Sequence, residues 1–221
     1  MFCIRMSLLS KLHESLTLKY GSFEEEFPEQ EMSVQFIMGH ENILEIGANI
    51  GRNSLIIASL LEDKGGKLVS LEVNEETANK LIENRNINNF NFAVEPFALS
   101  EKPLLRKGWR TIVSYEPRKY YKDVKTISWK ELSAKYSHGF DTLVLDCEGA
   151  IYQILMDTPS IMDTITMVII ENDFVKKEHQ DYVHNLFKQS GLEVVYSKSG
   201  IFQGKNVEQF YQVWKKTTYQ S

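Results

Sequence analysis

Asp146, Glu148, Glu171 and Asn172 are side chains whose types and positions suit chemistry. Each lies within a few residues of an apolar run, Thr142 to Leu145 for the first pair and Met167 to Ile170 for the second. If the two runs are strands of one sheet, their ends carry these groups to one edge. A carboxylate there can take a proton from an attacking hydroxyl, with Asp146 the stronger candidate and Glu148 the second. Asp146, Glu171 and Asn172 together offer oxygen ligands of the kind that hold Mg2+. Each also has a plain structural reading, as a helix cap or a loop hydrogen-bond partner.

A second constellation is Glu45-Ile46-Gly47-Ala48-Asn49-Ile50-Gly51, which follows an apolar run and precedes the helical segment Ser54 to Leu61. Glycines at a strand end let backbone approach a ligand where a side chain would clash. The spacing is G-x-x-x-G, and Asn49 stands where a pyrophosphate-binding loop would carry its second glycine, which disfavours a dinucleotide. S-adenosylmethionine (SAM) has no phosphate but carries a sulfonium and an ammonium, so an acid such as Glu45 at the strand end suits it. Glu72 ends the next apolar run at the interval, about 20–30 residues, where a carboxylate commonly accepts hydrogen bonds from ribose hydroxyls. These positions and their neighbours, Ala48, Ser54, Val73 and Asn74, are the candidate cofactor contacts. The plain alternative is a tight strand–helix turn with no ligand.

The elements that must position these residues alternate along the chain. Ser33 to Met38 reads as a helix after an acidic loop at residues 23–32. Lys67 to Val73 and Phe90 to Val94 read as strands, Ala78, Leu81 and Ile82 as one helix face, and Tyr182 to Phe187 as a helix ended by Gly191. Leu192 to Tyr196 and Glu208 to Trp214 form a hairpin around Ser199, Gly200 and Gly204. The predicted fold is α/β and Rossmann-like: a mostly parallel seven-stranded sheet with helices on both faces, closed by a C-terminal antiparallel hairpin. That hairpin separates the SAM-dependent methyltransferase fold from most dinucleotide dehydrogenases. One domain is expected over residues 1–221, with residues 1–40 a helical lead-in and 41–221 the catalytic core.

Composition narrows the classes. A hydrophobic share of 43% with 25% charged residues excludes a disordered or fibrous chain, and a formal net charge of −5 gives no strong nucleic-acid signal. Cys3 and Cys147 are too few for a disulfide framework, which fits a cytoplasmic setting. Charged residues interrupt Met1 to Leu18, so neither a secretory leader nor a membrane span is expected there. His40, His138, His179 and His184 have no supporting motif and read as surface or internally satisfied residues. Arg106 to Tyr121 interleaves Lys107, Arg110, Arg118 and Lys119 with Trp109, Tyr115 and Tyr120, either as a substrate-facing segment or as an insertion packed on the domain.

From about Asn42 to Lys215 the chain resembles the FkbM-type family of SAM-dependent O-methyltransferases. ILEIGANIGRNSL at Ile43–Leu55 is similar to its first cofactor loop, and LVSLEVNEE at Leu68–Glu76 to its ribose-binding strand. More specific are Phe97-Ala98-Leu99-Ser100 and the block Leu145-Asp146-Cys147-Glu148-Gly149-Ala150. The resemblance implies that Ala98 and Leu99 border the adenine and that Asp146 faces the reacting centre. Where the family has a second glutamate this chain has Ile151, so a role for that acid is not carried over.

The leading expectation is methyl transfer from SAM to a hydroxyl of a sugar, a glycan or a similar small polar acceptor, with Mg2+ as a further candidate cofactor. A nucleic-acid methyltransferase and a catalytically silent SAM-binding module are the alternatives; a nicotinamide reductase fits the glycine spacing poorly. Oligomeric state is not readable from the chain.

Overall fold

The computed structural model describes residues 2–108 and 110–217. Two helices, α1 (Phe2–Ser15) and α2 (Phe27–Phe36), lead into β1 (Asn42–Ile46), α3 (Arg52–Leu61), β2 (Lys67–Leu71), α4 (Glu75–Ile87) and β3 (Ala93–Glu95). Short strands follow: β4 (Ala98–Leu99), β5 (Leu104–Lys107), β6 (Arg110–Val113), β7 (Lys122–Val124) and β8 (Thr126–Ile127). The chain then forms α5 (Trp129–Lys135), β9 (Thr142–Leu145), α6 (Ile151–Asp157), a 3-10 turn at Pro159–Asp163, β10 (Met167–Glu171), α7 (Lys177–Gln189), β11 (Leu192–Phe202) and β12 (Lys205–Lys216).

Seven strands make the main sheet in the order β11-β12-β10-β9-β1-β2-β3. Neighbours from β3 through β10 pair in parallel, whereas β12 runs antiparallel to both β10 and β11. Alternation along the strands sorts the core into two layers. Leu44, Ile46, Leu143, Leu145, Val168 and Ile170 face Leu132, Ile154, Leu155, Val183 and Phe187 of α5–α7. Ile43, Val144, Met167 and Ile169 face Leu9, Met32, Leu55, Ile56 and Leu81 of α1–α4. The sheet is thus covered on both faces, as the near-continuous apolar strands require.

Several boundaries differ from the sequence reading. Helix α2 starts at Phe27, not Ser33, because Pro28 and Glu29 occupy its first turn, where a missing N–H and a negative charge are both tolerated or favoured. Strand β2 stops at Leu71 and β3 begins only at Ala93. The hairpin turns at Gln203 and Gly204, and Ser199 and Gly200 lie inside β11 beside a register shift between Lys198 and Gly200. The segment Arg106 to Tyr121, read as an insertion or a substrate-facing segment, falls within Leu104 to Val124, which carries a separate antiparallel sheet in the order β6-β5-β7; Trp109 lies outside the described residues. Among the described residues no helix is long and apolar enough to cross a membrane.

Candidate cofactor and active site

From β1 the chain moves outward through β2 to β3, then returns to lay β9 and β10 on the other side. The carboxyl ends of β1 and β9 therefore flank a switch point, where open α/β sheets form their ligand crevice. A cavity of about 550 Å3 opens there. Its walls include Gly47 and Val73 beyond β1 and β2, Ala98 and Leu99 of β4, and Asp146 and Glu148 beyond β9. The small inserted sheet contributes Leu104 and Thr111 to Val113, and the opposite rim is made by Tyr152, Phe174 and His179.

Gly47 is fixed by geometry. Its φ is +91°, and a Cβ built on it would overlap the carbonyl oxygen of Asp146. Only glycine lets the loops after β1 and β9 meet this closely. The turn is held by Gly47 and Ala48 N–H groups donating to the Leu71 carbonyl at 3.0 and 3.1 Å. Gly51, at φ +92°, caps α3, and a Cβ there would lie 2.9 Å from Leu81 Cγ, so this glycine admits close packing of α4. Glu72 organises the adjoining edge: its Oε2 accepts from Asn49 N at 3.0 Å and its Oε1 from Asn74 N at 2.8 Å. Burial raises its pKa, against those two hydrogen bonds and the nearby positive charge of Arg106. Asn74 itself caps α4 by accepting from Glu76 N.

Other predicted contacts face away from the cavity. Glu45 shares its strand face with Ile43 and so turns toward α3. Its Oε2 accepts from Ser54 Oγ and Ser70 Oγ, both at 2.6 Å, and burial lifts its pKa to about 7. Ser54 is fully buried as that partner, not a wall of the cavity. The Asn49 side chain donates to Glu26 Oε1 at 2.9 Å, and Glu26 also takes Arg52 Nη1 at 2.8 Å.

The acids past β9 and β10 converge only in part. Asp146 and Glu171 each present an oxygen within 4.8 Å of the other, and Glu29 of α2 joins them. Asn172 does not. Its Nδ2 donates to the Gln209 carbonyl and to Gln212 Oε1, and its Oδ1 meets His184 Nε2 at 2.9 Å, so the ligand set Asp146, Glu171 and Asn172 is corrected: Asn172 serves the β10–β12 and α7 packing. Burial holds Asp146 well above the usual carboxylate range, with Glu26, Glu29, Asp173 and Glu148 adding repulsion. Glu171 is raised by burial first and by Glu29 and Asp146 after it. Glu148 is exposed at φ +54°, and Asp173 Oδ1 accepts from Gly149 N at 2.7 Å, which shapes the loop carrying Asp146.

Of the histidines, His184 is internally satisfied as expected, and His179 has an aromatic partner. It stacks on Tyr152 with ring centroids 3.7 Å apart and 4° between planes, at the cavity rim. Glu29 was missed because it lies in an acidic run, yet the first-turn position after Phe27 and Pro28 was a signal that it begins a packed helix.

No protein-family model and no curated protein match this chain. Solved structures do match its fold. An O-methyltransferase of Bacillus cereus in complex with SAH superposes with a TM-score of 0.50 at 15% identity, covering 97% of this chain and 90% of that one. Sp1610 of Streptococcus pneumoniae, to which tRNA (m1A22) methylation is ascribed, gives 0.51 at 13%, covering 86% and 70%. A ribosomal protein L11 methylase of Lactobacillus delbrueckii gives 0.50 at 10%, covering 86% and 78%. The architecture is the Rossmann-like methyltransferase fold.

Proposed function

We propose that this chain is a SAM-dependent methyltransferase that transfers a methyl group to a hydroxyl of a sugar, a glycan or a similar small polar acceptor. One observation carries the reading: a roomy cavity at the ends of β1, β2 and β9, entered by the Gly47 backbone and bordered by Asp146. The resemblance to the FkbM-type family supports a hydroxyl acceptor. When bound, SAM supplies the electrophilic methyl group. The protein contributes position and proton handling. Gly47 lines the side given to the cofactor's amino-acid end, Val73 beside the buried Glu72 lines the ribose side, and Ala98 and Leu99 wall the adenine side. Asp146, at the edge of the cavity beyond β9, takes the proton of the attacking hydroxyl. The Tyr152–His179 stack offers a flat face at the rim for the acceptor.

The test is transfer of labelled methyl from SAM to a panel of sugars and small polyols. Asp146→Asn should lower kcat about 100-fold or more with SAM affinity kept within a few-fold. Full activity in that variant would remove Asp146 from proton transfer.

The inserted sheet favours a second reading, a nucleic-acid acceptor. Residues 102–125 carry eight basic and two acidic residues in a chain that is otherwise acidic. Arg106 lies directly opposite both Thr111 and Lys122, so these three share one face of the small sheet, and Thr111 lines the cavity. Tyr120, 74% exposed, lies under Lys119. Oligouridine binding that weakens steeply with salt and is lost in Lys122→Glu would favour this reading over the sugar.

A further inference from the structure

Beside the large cavity lies a second, small space of about 20 Å3, bordered by Glu26, Glu29, Glu45, Asp146 and Glu171. Arg52, which pairs with Glu26 at the border of this space, also binds Glu25 and the Ser22 carbonyl, and Lys198 pairs with Glu31. Glu45 is satisfied by two serine hydroxyls. Glu29, Asp146 and Glu171 are left, with one oxygen from each inside a 4.8 Å group. A separate observation marks this space as a binding site. Glu29 is only 7% exposed and lines it, yet its Oε2 has no hydrogen-bond partner. A buried carboxylate oxygen without a donor is rare in a native protein and asks for a counter-charge.

We propose that Glu29, Asp146 and Glu171 bind one hard divalent cation, Mg2+ or Mn2+. The size of the space selects an ion over an organic amine, since it holds about one water and its remaining wall includes the apolar Met32, Val144 and Ile169. The donor set selects the metal: three carboxylates and no histidine or cysteine suit Mg2+ and Mn2+, not zinc. The site also ties the lead-in to the core, because Glu29 comes from α2 whereas Asp146 and Glu171 end two neighbouring strands. Asp146 borders both spaces, so the ion fixes its carboxylate at the edge of the large cavity. That consequence rests on the transfer reading above; ion binding does not.

The experiment uses the full chain, stripped with EDTA and free of SAM, titrated with MnCl2 while free Mn2+ is followed by electron paramagnetic resonance. One ion per chain is expected, with affinity reduced about tenfold or more in Glu29→Gln and in Glu171→Gln. Both changes keep the side chain's size and replace one ligand oxygen by an amide nitrogen, and circular dichroism checks that they fold. Glu31→Gln, at a residue paired with Lys198, should bind as the parent does. No saturable Mn2+ binding to the parent, or undiminished binding in folded Glu29→Gln, would overturn the proposal. Titrating the same stripped sample with SAH separates the two claims: SAH binding without Mn2+ binding sinks the ion alone, and Mn2+ binding without SAH binding sinks the cofactor alone.

Discussion

Gly47 and Glu45 stand two residues apart and illustrate different kinds of constraint. Gly47→Ala places a Cβ against the Asp146 carbonyl at a backbone angle that favours glycine, so we expect a loss of about 1–3 kcal/mol in unfolding free energy and at least tenfold weaker SAH binding. Unchanged melting and binding would show that the two loops are not in contact. Glu45 is a buried acid with a folded pKa of about 7, above its ordinary 4.5. It keeps a proton between those values while the unfolded chain has lost it, so its stabilising contribution is present below pH 4.5 and fades as pH rises through 7. Glu45→Gln should therefore raise stability at pH 8 by about 1–3 kcal/mol and leave it nearly unchanged at pH 4, read from urea midpoints. The glycine was legible in the sequence because its neighbours are a strand and a helix. The direction of Glu45 was not read, although strand alternation from Ile43 places it on the α3 face. Glu29 was hidden for another reason: its partners are more than 100 positions away along the chain.

At the scale of elements, the strands and helices around the cofactor edge were legible because each is a strong apolar run bounded by glycine or an acid. The paired strands between Leu104 and Val124 were not, since short exposed strands rich in lysine and arginine carry little hydrophobic alternation. Hairpin length was underestimated because Gly200 reads as a turn residue. Inside β11 it has a packing role: a Cβ there would press on the Phe210 and Tyr211 rings, with the Tyr211 Cε2 atom 2.7 Å away. Gly200→Ala should cost about 1–2 kcal/mol in chemical denaturation, with near-native circular dichroism. A variant as stable as the parent would mean that the rings of β12 can shift freely. Helix α2 shows the converse case, an element whose start was displaced by reading Pro28 as a loop signal when it serves the first helical turn.

For the whole molecule, the buried acids set the expected response to pH. Glu26, Glu45 and Asp173 are lifted to about 7, and Glu72, Asp146 and Glu171 are raised as well, all chiefly by burial. By the sign argument for Glu45, each favours the folded state less as pH rises. His184 opposes them: burial lowers it to about 4, so its contribution is lost as pH falls from 6.5 toward 4. Six carboxyls outweigh one imidazole, and the ligand-free chain should be more stable at pH 5 than at pH 8; greater stability at pH 8 would contradict this balance. The central claim is cofactor class, and its most direct test is calorimetric titration of the purified chain with SAH beside a nicotinamide dinucleotide. Saturable binding of one SAH per chain, with no response to the dinucleotide, is the predicted result. Dinucleotide binding without SAH binding would contradict the account.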